Sequence, residues 1–518
     1  MYPARPSSII LWLAAPILLA GCAGFGAISP DEVADGLSVE DFRSYGQTSP
    51  ERIRTRMGVL EFGEGGFAGG YPTIGTVGAL IDEMDFQRAT QAYIWAVPIV
   101  SYAEWLRAHE EVFGAADGQL VQYPTALAKQ GILTANATTP YVIAFADLTR
   151  TGPLILDVPE GPSAGIVNDM WQRGVLDFGV SGPDAGKGAK LLLLAPGMEE
   201  PADLDRARYR VVRNPTNIVF IGIRALQLDP AEAQAMLQRF VIHPYDQRED
   251  PPERPMIVVG DDVDWGQWQP HGMAYWESLK AILDREMVEE RDRLMLSMLE
   301  SLGLRKSAPF EPDARQRRLL KEAAVVGEAM AKANTFDKRI GYGSDYGDTQ
   351  WDQLMVVSVD DRADSIDQLY RRAAFTWEAV TRGRAYYIEK PGIGQQYRTA
   401  YMDGDGQFLV GSRHYTLKMP PDPPAKTFWS VAVYDVNTRT LILNDEGRAA
   451  ASSRTGLATS EDGSVTIHFA PQQPEGVPRE NWIQTNAGES WFTYLRFYGP
   501  TEAYFEQTYP LQDIQRVE

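Results

Sequence analysis

The apolar positions change period along the chain. From Met84 to Phe113, the residues Phe86, Ala89, Tyr93, Ala96, Val97, Val100 and Trp105 recur at helical spacing, interrupted by Pro98. This pattern predicts a kinked, largely buried helix. From about Gln119 to Ile223, short apolar runs alternate with Gly and Pro turns: Tyr141 to Asp147, Leu154 to Val158, Gly165 to Trp171, Lys190 to Leu194, Tyr209 to Val212 and Ile218 to Ile223. Many short strands of this kind predict a β-sandwich or an open barrel. Asp229 before Pro230 then reads as an N-cap with proline at the first helical position. Long helical patterns run from about Met273 to Leu302, Asp313 to Asn334 and Ser365 to Glu389. Strand patterns return from Tyr397, at Phe428 to Tyr434, Val465 to Phe469 and Trp491 to Phe497.

The expected class is therefore α+β: a β-rich N-terminal domain, a central helical region and a C-terminal antiparallel β-sandwich, jelly-roll-like. The expected boundaries are 81–228 for the β-rich domain with its leading helix, 229–396 for the helical region and 397–518 for the sandwich. Residues 22–80, with Gly63, Gly65, Gly66, Gly69 and Gly70 close together, read as a tether and loosely ordered lead-in.

The start of the chain changes this picture of a plain globular protein. Arg5 precedes an apolar stretch from Ile9 to Ala20, too short to span a bilayer and laid out as a signal peptide over residues 1–21. The stretch ends Leu19-Ala20-Gly21-Cys22, which resembles the lipobox of bacterial lipoproteins, so Cys22 is the expected lipidation site. Ala23 follows, with no Asp at that position, the pattern of outer-membrane lipoproteins facing the periplasm or exterior. Cys22 is the only cysteine, so no internal disulfide can form. The formal charge of −21 argues against nucleic acid as a partner, since phosphate binding relies on clustered Lys and Arg.

Two sets of motifs carry a family resemblance. Gly411 to Leu417, Pro423 to Asp435, Asp462-Gly463-Ser464, Asn481-Trp482 and Leu495 to Pro500 together resemble bacterial domain of unknown function 1214. Tyr93 to Pro98, Asn136 to Tyr141, Ala146-Asp147-Leu148 and Gly152-Pro153 resemble its usual companion, domain of unknown function 1254. The resemblance implies a β-rich domain at each end with helices between, and homo-oligomers. The family commonly shows Asn-x-Asp-Thr-x-Tyr where this chain has Asn136-Ala137-Thr138-Thr139-Pro140-Tyr141, so Thr138 stands in place of that carboxylate.

No Gly-x-Ser-x-Gly elbow, zinc helix or complete phosphate loop is present. His109, His243, His271, His414 and His468 lack metal-ligand spacing, and no metal or cofactor is implied. The turn at Asp403-Gly404-Asp405-Gly406 lacks the later glutamate of a calcium loop and reads as a β-turn. The candidate ligand contacts are Asn136, Thr138, Tyr141, Asp169, Trp171 and Arg173 from the first β region. From the second come Arg413, Tyr415, Trp429, Tyr434, Asp435, Trp482, Arg496 and Tyr498. Aromatic faces beside amides, hydroxyls and arginines suit a small polar or glycan-like ligand in a cleft between β and helical domains. The alternative is a hydrolase without a familiar motif, with Asp169 or the Asp261, Asp262 and Asp264 cluster as acid or base.

Overall fold

The computed structural model describes residues 49–227, 229–337 and 346–517. The expected signal peptide and Cys22 lie outside them. The chain divides into two compact units, ending at Met84 and beginning at Asp85. The first contains a hairpin of Arg52–Thr55 with Gly58–Glu61 and a short helix Gly66–Gly69. Residues 49–80 are thus partly built of regular elements, against the expectation of a loose lead-in. Ile53 and Leu60 pair across the hairpin, which the glycine-rich composition hides.

In the second unit, a six-stranded sheet has the order Ile257–Val258, Val121–Tyr123, Tyr141–Asp147, Ile218–Ala225, Ser163–Asp169, Gly174–Gly179. Beside it lies a four-stranded sheet of Val241–Pro244, Leu154–Val158, Ala189–Leu194 and Arg210–Arg213. Alternation along each strand separates two cores. In Tyr141–Asp147, the residues Val142, Ala144 and Ala146 pack with Leu154, Leu156, Leu191 and Leu193 between the two sheets. Ile143 and Phe145 turn to the opposite face and join Tyr102, Trp105 and Phe220 in the main core. Period two makes this split obligatory, and burial of each large side chain contributes about 1.5–3 kcal/mol.

The C-terminal part is β-rich as expected. A five-stranded sheet has the order Asp352–Gln353, Gln395–Ala400, Trp491–Pro500, Ala425–Asp435, Ala450–Ser452. A four-stranded sheet has the order Trp482–Gln484, Val465–Ala470, Tyr415–Met419, Gln515–Arg516, with one parallel pair. Trp491 of the first sheet stacks on Phe469 of the second at 4.8 Å between ring centres, so the sheets share one core.

The central region is less helical than its pattern predicts. Ala314–Phe336 forms with a capping box between Asp313 and Gln316, and Pro230–Leu237 starts on the Asp229 cap. The pattern from Met273 instead gives Met273–Arg285 and Arg293–Leu299. Between them Glu286 is extended, and its carboxylate accepts from the backbone N–H of Asn217 (2.6 Å) and Ile218 (3.0 Å). That tertiary contact overrides helical continuation. Likewise the Ser365 to Glu389 pattern is α-helical only over Leu369–Glu378, with a 3-10 turn at Arg384–Tyr387. The β units also reach into this region, taking Val241–Pro244 and Ile257–Val258 on one side and Asp352–Gln353 and Gln395–Ala400 on the other.

Pro98 sits inside one helix, Ile74–Arg107. A proline there removes a backbone donor and opens the helix ladder. Neighbouring carbonyls are met by buried side chains: Tyr275 donates to Tyr93 O (2.6 Å), Arg372 to Trp95 O (2.6 Å), Gln269 to Val97 O (3.2 Å) and Gln172 to Pro98 O (2.8 Å). The proline thereby becomes a junction for the central segments.

Candidate functional site

The faces of the two large sheets that meet the main core enclose a cavity of about 150 Å³. Most of its strand residues alternate, with Gly165 and Ile223 lining it as well. Tyr141 and Ile143, Ala164 and Ile166, and Phe220, Gly222 and Arg224 come from the N-terminal sheet. Gln395 and Tyr397, and Tyr494, Arg496 and Tyr498, come from the C-terminal sheet. Register sets their neighbours: Tyr397 pairs with Arg496, Gln395 with Tyr498, and Gly222 with both Ile143 and Ile166. Gly222 helps keep this face open, since a Cβ there would meet the Phe220 ring at 3.0 Å and Ile166 at 3.4 Å. The loop from Ile132 to Asn136 closes one end, and Leu354, Phe375, Thr381 and Tyr386 line a side.

The Asn136 side chain organises that loop. Its Oδ1 accepts from the backbone N–H of Thr138 and of Thr139, both at 2.9 Å, while its Nδ2 donates to the Tyr141 hydroxyl at 2.8 Å. Thr138 Oγ1 donates to the same Oδ1 at 3.3 Å. Beneath the loop, the buried Lys129 donates to the carbonyls of Asn136 and Thr139, both at 2.8 Å. Burial pushes the Lys129 ammonium down to about 7, and Arg224 and Arg496 push it the same way.

Arg496 is 4% exposed and donates to Thr134 O at 2.8 Å, while its Nη1 has no hydrogen-bond partner. The rings of Tyr494, Tyr397 and Tyr434 surround its guanidinium at 5.3, 5.6 and 5.6 Å. Arg224 donates to Thr139 Oγ1 at 3.2 Å and lies 5.4 Å from the Tyr141 ring, and its Nε is without a partner. The Tyr498 hydroxyl is buried and unpartnered as well. Burial raises the phenols of Tyr386, Tyr397 and Tyr494, so they remain neutral O–H donors near neutral pH. Among the described residues, no Asp, Glu, His or Cys lines the cavity.

Of the residues singled out from the sequence, Asn136, Tyr141, Arg496 and Tyr498 line the cavity and Thr138 braces its loop. Tyr434 donates to Ala135 O at 2.9 Å just behind it. The others lie elsewhere. Asp169 is fully buried and accepts from Trp171 N (2.9 Å), Arg173 N (3.0 Å) and Arg173 Nε (2.6 Å). Burial raises its carboxyl despite the opposing Arg173, which also pairs with Glu289. Trp171 packs at 4.9 Å from Trp95. Arg413 is exposed, and Tyr415 sits in the sandwich core against Trp491. Trp429 and Trp482 are also buried in the C-terminal sheets, and Asp435 caps a turn by accepting from Thr438 N at 2.7 Å.

Asp261 accepts from Thr125 in an exposed turn, and Asp403 accepts from Asp405 N and Gln407 N as a turn residue does. His109 is held neutral by burial, down to about 3, beside the Tyr123 hydroxyl at 2.8 Å. Among the described residues no three His, Cys, Asp or Glu side chains gather as a metal site would need. Sequence reasoning missed Lys129, Arg224, Tyr386, Tyr397 and Tyr494. The one legible signal was Arg224, a charge in the otherwise apolar strand Ile218–Ala225.

Comparison with known families finds two domains in chain order. Residues 118–244 match "Protein of unknown function (DUF1254)" and residues 394–502 match "Protein of unknown function (DUF1214)". No curated protein matches the chain. Among solved structures, a Vibrio parahaemolyticus protein is similar at 19% identity and a TM-score of 0.48, over 84% of this chain and 100% of that one. An uncharacterised Burkholderia cenocepacia protein is similar at 12% identity and a TM-score of 0.37, over 86% and 97%. No helix among the described residues is long and apolar enough to cross a membrane.

Proposed function

We propose that this tandem of domains of unknown function 1254 and 1214 is a lipid-anchored binding protein of the cell envelope, taking a small polar molecule into the cavity between its sheets. The observation that carries the reading is the lining: aromatic rings, amides, hydroxyls and arginines converge there, without a carboxylate, imidazole or thiol among the described residues. General acid–base and nucleophilic catalysis most often draw on such groups, and this lining offers in their place the hydroxyls of Thr134, Ser181, Thr381 and the tyrosines, with no base beside them. Asp169, the base of the hydrolase alternative, has its oxygens occupied and is sealed from solvent. The volume suits a single ring rather than an oligosaccharide, since a cavity of about 150 Å³ accommodates benzene. The anchor rests on the Leu19-Ala20-Gly21-Cys22 sequence, with an outer-membrane location suggested by Ala23.

A thermal-shift screen of small ring compounds, charged and neutral, tests the binding reading. A ligand at 100 times its dissociation constant adds about 2.7 kcal/mol to stability. Ala164→Leu, which fills the lining, should remove the shift while leaving the unliganded melting temperature near that of the parent. A shift that survives this substitution, or no shift with any compound, contradicts the reading.

A further inference from the structure

We infer that the cavity is an anion site, selecting a small organic carboxylate with an apolar body and holding its carboxylate between Arg224 and Arg496. The inference rests on the binding reading and adds the chemistry of the ligand. Both guanidiniums stay charged at any physiological pH, and among the described residues neither has a carboxylate partner in the lining. Elsewhere in the interior, Arg382 and Arg372 share Asp361, and Arg173 pairs with Asp169 and Glu289. Arg439, likewise buried, donates to three neutral oxygens, of Trp377, Asn437 and Gln269. Arg224 and Arg496 differ from these in carrying an unused N–H donor in the wall of a cavity.

Arg496 is buried and Arg224 half-buried, and tyrosine rings compensate only in part for a guanidinium taken from water without its counter-charge. An incoming carboxylate supplies the missing charge and accepts the free Arg496 Nη1, Arg224 Nε and Tyr498 hydroxyl donors. The neutral phenols of Tyr386, Tyr397 and Tyr494 add donors without repelling it. Trp105, Ile132, Ile143, Phe220 and Phe375 form the apolar remainder of the lining, which an inorganic anion would leave unfilled. The ligand class therefore has one charged end and one apolar end, on the scale of a single ring.

Titration calorimetry of the mature chain with benzoate, benzamide and inorganic phosphate tests the inference. Benzoate should bind, with benzamide and phosphate each at least tenfold weaker. Arg496→Met and Arg224→Met should each weaken benzoate at least tenfold while changing benzamide little. Should either lose the fold, Tyr498→Phe, which deletes only an unpartnered hydroxyl, should still weaken benzoate more than benzamide. Benzamide binding as tightly as benzoate overturns the charge selection but leaves the cavity as a binding site. Phosphate binding alone overturns the apolar body, and no binding by any of the three, with no hit among other ring compounds, removes the binding reading as well.

Discussion

Lys129 offers a test whose sign follows from its surroundings. Its ammonium is lowered from 10.5 to about 7, first by burial and then by Arg224 and Arg496. Between these values the unfolded chain holds a proton that the folded chain has released. Unliganded stability should therefore rise with pH across that window, by about 1.4 kcal/mol per pH unit from this group, and be insensitive to it below about 7. Lys129→Met removes the titration. It also strips donors from the carbonyls of Asn136 and Thr139, each costing about 1–3 kcal/mol when left unsatisfied. Urea midpoints of parent and variant, measured from pH 6.5 to 9, should diverge as pH rises above 7, with the parent gaining on the variant. A bound carboxylate reverses the preference by favouring the protonated amine, so benzoate affinity should tighten as pH falls through 7 in the parent alone. Parallel pH profiles in both experiments would show that Lys129 carries no strained charge and would refute the reasoning.

Other substitutions separate scaffold from site. Asp361→Ala leaves Arg382 and Arg372 buried without their shared carboxylate, and should cost about 3–5 kcal/mol in chemical denaturation. Asn136→Ala removes the acceptor that gathers Thr138 and Thr139, so it should cost about 1–3 kcal/mol and loosen benzoate binding through the loop. Asp169→Asn should lower stability through its pairing with Arg173 while leaving benzoate affinity of the folded protein unchanged. Cys22→Ser should abolish acylation and release the protein from the membrane fraction, as seen by fractionation and mass spectrometry.

The short apolar run announced the strand Tyr141–Asp147, and period two then obliges Val142, Ala144 and Ala146 to share a side. The helix cap at Asp229 was equally legible, being local chemistry. The broken helix at Glu286 was not, since the contact that breaks it comes from Asn217 and Ile218, distant in sequence. The same divide runs through the site. Asn136 stands in a short loop that leads into the strand beginning at Tyr141, and Arg496 in an aromatic strand attracts notice. Their convergence with Arg224 depends on which strand faces which across two sheets, and no local pattern encodes that. Asp169 and Arg173 looked like site residues for the same reason they are buried: a charged pair among aromatics fits a core as well as a cleft.

The central claim, that a small carboxylate is held between the two sheets, is tested most directly by crystals soaked with 4-bromobenzoate and examined at the bromine absorption edge. The account predicts one ordered bromine among the Trp105, Ile143 and Phe220 side chains, with the carboxylate on Arg224 and Arg496. Bromine only at surface positions, or a carboxylate in the cavity that touches neither arginine, would contradict it.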